Sequence, residues 1–165
     1  MPDVPNSMLK NQRPRVQEFD ANELLYRRVP LDLWEDPADD IEVDAVALPD
    51  MSVLRSRFAH PEWARLEDDA HAEWGVIGFQ VHNIPSDLLH LGVFKWTFGP
   101  RHVPLDENYP HSEVWAYENA QHINAKDRID PDLHLRWRHR LLENIEKVLN
   151  PREVIAIRQE PPLIH

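Results

Sequence analysis

Residues 74–82, reading WGVIGFQVH, are apolar on both sides when laid out as a strand. Successive side chains of a strand point to opposite faces, so Ile77, Phe79 and Val81 share one face and Val76, Gly78 and Gln80 the other. Such a strand needs neighbours on both edges and cover on both faces, which commits the chain to a sheet with packed material above and below. At 165 residues the chain is long enough for one such core. Cysteine is absent, so disulfides, thiolate metal sites and a cysteine nucleophile are excluded and stability must come from packing. Six Trp, five Phe and three Tyr supply the bulk for it.

Several other segments carry the period of two. Ile41, Val43, Ala45 and Ala47 alternate with Glu42 and Asp44, and after Pro49 and Asp50 the alternation resumes over residues 51–58, which predicts a hairpin. Residues 93–98 predict a strand with Phe94, Trp96 and Phe98 on one face. A loop over residues 99–110 then leads into a further strand over 111–118. Pro61 opens a predicted short helix with Trp63, Leu66 and Ala70 inward. Asp130 and Pro131 have N-cap and N1 character and predict a long helix running to about Leu149. Its apolar arc comprises Leu133, Trp137, Leu141, Leu142, Ile145, Val148 and Leu149, with His134 and Arg138 inside it. Residues 154–157 predict a last strand. Mixed strands, a late helix and no regular βαβ alternation predict an α+β fold. The sheet is expected to be mixed or mostly antiparallel, with one long C-terminal helix on a face and one or two short helices. Residues 1–18, polar and aperiodic, are expected to form a flexible arm before a single domain over 19–165.

The formal net charge of −11 argues against general nucleic-acid binding, which depends on many Lys and Arg contacts to phosphate. No apolar run reaches the roughly 20 residues of a membrane span, and the first residues lack a signal-peptide core. A cytoplasmic protein without membrane attachment is expected. The four glycines form no dinucleotide or nucleotide fingerprint, and no cofactor is assigned. Ten histidines invite a metal, yet His134 and His139 lie on different helix faces, no HExxH occurs, and His102, His111, Glu113 and His122 have no ligand spacing. No metal site is assigned.

The strand over 111–118 places His111, Glu113, Trp115 and Tyr117 on one face. Glu113 is in position to hold the His111 imidazole in one tautomer for acid–base work. Ser112 points away from His111, and no serine sits in a GxSxG elbow. His134 and Arg138, one helical turn apart, are expected to join the same site as binding residues with Trp115 and Tyr117. Arg27 in LLYRRV, Ser52 in PDMSVLR and Glu113 occur in the order arginine, serine, glutamate. That order resembles ADP-ribosyltransferase-like folds, and the resemblance implies that Arg27 and Ser52 position a dinucleotide while Glu113 assists transfer. It covers three short segments and lacks a Ser-Thr-Ser strand. Two functions are therefore expected: first, an acidic accessory, regulatory or immunity-type subunit that binds a protein partner; second, a small enzyme with catalytic candidates His111, Glu113, Arg27 and Ser52. A flat apolar patch would favour the first and a concave pocket the second.

Overall fold

A computed structural model describes residues 4–86, 88 and 95–163. Its strands are β1 (Leu24–Val29), β2 (Met51–Arg55), β3 (Gly75–Gln80), β4 (Trp96–His102), β5 (His111–Glu118), β6 (Gln121–Ile123) and β7 (Glu146–Leu149); helix α1 is Pro131–Leu142. Every pairing is antiparallel, and the order across the sheet is β4-β5-β2-β1-β3-β7, with β6 on the edge of β5 beside β2. The fold is α+β with an antiparallel sheet. No described helix is long and apolar enough to cross a membrane.

β3 lies between β1 and β7, and its two faces feed two cores. Ile77 and Phe79 join Leu25, Val53, Phe98, Val114 and the α1 residues Leu133, Trp137 and Leu141 in one buried cluster. Val76 joins Met8, Leu54, Trp63, Leu66 and Leu149 in the other. A Cβ on Gly75 would come within 2.3 Å of the Trp34 ring, so the sheet tolerates Trp34 there only because the strand residue has no side chain.

Several sequence expectations give way to tertiary structure. Residues 41–48 form no strand; they hold a 3-10 turn, Val43–Ala45, with Ala45, Val46 and Leu48 buried. Their backbone groups are taken by side chains instead of a ladder: Arg27 donates to the Ala45 carbonyl and the Leu48 N–H donates to His134. β2 therefore pairs with β1 and β5, not with a hairpin partner. The helix expected after Pro61 shortens to 3-10 turns at Pro61–Arg65 and Asp69–His71, with Trp63 and Leu66 buried but Ala70 exposed. β4 runs on through residues 99–102, which the sequence assigns to a loop. Residues 89–94, which include Val93 and Phe94 of the predicted strand, lie outside the described residues.

α1 starts as expected, with Asp130 accepting from the N–H groups of Asp132 and Leu133, but it ends at Leu142. Val148 and Leu149 continue the helical apolar spacing, yet they belong to β7, because the outer edge of β3 needs backbone partners that a longer helix could not supply. Residues 154–157 form no strand.

The segment expected to be a flexible arm is tied down over its described part. Met8 is buried, the Tyr109 N–H donates to the Met8 carbonyl, and the Val16 N–H donates to His102 Nδ1. Arg55, fully buried, donates to the Val16 and Glu18 carbonyls and grips Glu23 with two hydrogen bonds of 2.8 Å. Charged groups removed from water require this kind of complete pairing.

Candidate functional site

The site begins where two strands part. The ladder between β1 and β2 consists of Leu25 against Arg55 and Tyr26 against Leu54, whereas the other edge of β1 stays paired with β3 as far as Val29. Arg27 lies on the α1 side of the sheet with Leu25 and Val29. Its guanidinium spans the gap, donating to the Ala45 carbonyl (2.7 Å) and the Ser52 carbonyl (2.9 Å). A cavity of about 270 Å³ opens at this split, lined by Tyr26, Arg27, Arg28, Pro30, Ser52, Val53, Leu54, Ala64, Trp74, Asn108 and His111.

Register places Ser52 opposite Glu113 and Leu54 opposite His111, so Ser52, Glu113 and His111 share the face turned away from α1. His111 Nδ1 lies 2.8 Å from the Val103 carbonyl, which can only accept, so Nδ1 carries the proton. Nε2 of the neutral ring is then an acceptor, and it lies 3.3 Å from Ser52 Oγ. The expected partner of His111 is thus corrected: the Val103 carbonyl, not Glu113, sets the tautomer. Glu113 accepts from Trp115 Nε1 at 2.9 Å.

The same face continues as a row of rings. Trp115 stacks on His122 at 3.8 Å with 8° between the planes, and His122 Nε2 meets Asp50 at 2.7 Å. Arg101 donates to the Tyr117 hydroxyl at 2.7 Å and lies 5.8 Å from the Trp115 ring.

Electrostatically the cleft is cationic. Among the described residues Arg27 has only backbone carbonyl partners and no carboxylate. Burial, aided by the neighbouring Arg28, lowers its pKa to about 10. Arg28, on the open face, pairs with Glu67 at 2.7 Å. The side-chain carbonyl of Asn108 is buried and has no hydrogen-bond partner among the described residues.

His134 and Arg138 do not join this site. α1 packs on the opposite face of the sheet from Glu113, and both side chains are used there: His134 Nε2 accepts from the Leu48 N–H at 2.9 Å and Arg138 donates to Asp44 at 2.8 Å. Neighbouring periodic residues on a helix share an arc, but nothing in that arc says which sheet face it covers. Arg28, Tyr26, Trp74 and Asn108 are cleft residues the sequence reading missed. Alternation along β1 carries the signal for Arg28, since it puts Arg28, not Arg27, on the open side with Tyr26.

Comparison with protein-family models, with curated proteins and with solved structures finds no match for the chain.

Proposed function

We propose that the cleft between β1 and β2 is the active site of a small enzyme acting on an anionic, phosphate-bearing small molecule. The observation that carries this reading is the uncompensated Arg27 guanidinium, fixed in the cleft beside the hydrogen-bonded Ser52–His111 pair. A partly buried cation without a carboxylate is costly, and an anionic ligand offsets that cost. Arg27 and Arg28 would hold the anion, with His111 Nε2 as the base that accepts the proton of the Ser52 hydroxyl, or of a water in its place. Trp74 and Tyr26 wall the cleft.

The test is calorimetric titration of the full chain with inorganic phosphate and ribose 5-phosphate, combined with labelling of Ser52 by a fluorophosphonate. Arg28→Ala should weaken phosphate binding by about ten- to a hundredfold, since a charge-assisted hydrogen bond contributes about 1.5–3 kcal/mol. Labelling should vanish in Ser52→Ala and in His111→Gln. Folded protein that binds neither phosphate compound would overturn the reading and return the acidic accessory subunit with a protein partner to first place.

A second chemistry for the same cleft has its own support. Arg27 donates to the Ser52 carbonyl, and Ser52 lies directly opposite Glu113, so the three residues of the ADP-ribosyltransferase-like resemblance are contiguous across β1, β2 and β5. On that reading the phosphate-bearing molecule is a dinucleotide and Glu113 assists transfer. Turnover lost in Glu113→Gln but kept in His111→Gln would select it.

A further inference from the structure

We propose that the ligand of this cleft is a nucleotide whose base enters an adjoining apolar cavity; the proposal rests on the anion-binding reading above and names the substrate class. The second cavity, of about 440 Å³, shares Arg28, Leu54, Ala64 and Asn108 with the first. Its remaining walls are of a different kind. Met8 and Trp63 are buried apolar surfaces, while Leu105 lines it with 45% of its surface exposed. A large aliphatic side chain left open at a cavity lip is a surface that gains by being covered.

Apart from Arg28, the charged residues around this apolar space are acidic. Glu67, Asp106 and Glu107 line it, and so does Asn108, whose buried side-chain carbonyl oxygen has no partner among the described residues. Arg28 stands where the two cavities meet, held there by Glu67. The complementary molecule has an uncharged, apolar-faced ring with N–H donors on its edge, joined to an anionic group that reaches Arg28 and Arg27. A second phosphate in the apolar cavity is disfavoured by the three acidic residues that line it. An aminated nucleobase carrying a sugar phosphate fits these requirements, and uracil, which has no exocyclic amine, fits them less well.

The experiment titrates the full chain at one ionic strength with ribose 5-phosphate, AMP, GMP, CMP and UMP. At least one amino-bearing nucleotide should bind tenfold or more tighter than ribose 5-phosphate, and UMP should gain least. Leu105→Asp, at an exposed position, should abolish the nucleotide's advantage and leave ribose 5-phosphate within about twofold of its original affinity. Nucleotides binding no better than ribose 5-phosphate, or an advantage that survives Leu105→Asp, would overturn the proposal while leaving the anion site standing. Failure of every phosphate to bind would remove both.

Discussion

Leu48 presents its backbone N–H to His134 Nε2, and the ring can accept that bond only while it is neutral. Burial is the largest cause that lowers the His134 pKa, with Arg138 and Lys126 adding to it against Asp44, and the result is about 4 rather than 6.5. The unfolded chain therefore binds a proton more readily than the folded one between these values. This contribution to stability is complete above pH 6.5 and is lost as the pH falls toward 4, amounting to about 3 kcal/mol at most. Below pH 4 the ring is protonated in both states and nothing further is lost from this group. His102 is lowered in the same direction, chiefly by burial, so the comparison must be between proteins that both retain it. In His134→Gln, urea midpoints measured from pH 7.5 to 4 should fall less steeply than in the parent. Parallel curves would remove His134 as the cause.

At the scale of elements, the fate of the N-terminal segment shows where sequence patterns stop being informative. Residues 5–18 have no apolar periodicity because they are held by hydrogen bonds to their backbone, and such bonds leave no pattern in the side chains. Arg55 makes the consequence quantitative: deleting residues 1–18 would strip the Val16 and Glu18 carbonyls from a fully buried guanidinium. It would also leave Tyr109 without the Pro14 carbonyl that accepts from its hydroxyl. A loss of several kcal/mol in denaturant stability is expected, against the dispensable arm that composition predicts. Unchanged stability would show that the docking contributes nothing. Elsewhere the period of two was a sound guide wherever a segment had ladder partners, as in β3 and β5. It misled over residues 41–48, where Arg27 and His134 satisfy the backbone. The Ser52–His111 pair was hidden for a related reason. The two residues are 59 positions apart, and only the β2–β5 register brings them together.

Over the whole molecule, the chain after β7 acts as a strap across the wall of the proposed nucleotide site. Trp63 Nε1 donates to the Arg158 carbonyl, and Arg65 donates to the carbonyls of Asn150, Trp74 and Glu153. Glu62, only 1% exposed, receives Arg158 through both carboxylate oxygens at 2.7 and 2.8 Å. Burial alone would raise the Glu62 pKa, but the hydrogen bonds from Arg158 and the backbone outweigh it and the pKa is lowered. This carboxylate therefore stabilises the fold above the ordinary carboxylate range, and the contribution is lost as the pH falls through its depressed value. Arg158→Ala leaves a buried carboxylate without its cation. Breaking a fully buried pair costs about 3–5 kcal/mol, and half of the Arg158 side chain is in water, so about 2 kcal/mol is expected at pH 7. Because Trp63 and Ala64, which follow Glu62, line the second cavity and Ala64 lines the first as well, the same variant should weaken nucleotide binding several-fold. Glu62→Gln combined with Arg158→Ala should lose less than the sum of the single variants, since the second change removes a partner already gone. A melt of Arg158→Ala that matches the parent's would show that the strap lies on the domain without stabilising it, and its supposed influence on the cleft would go with it.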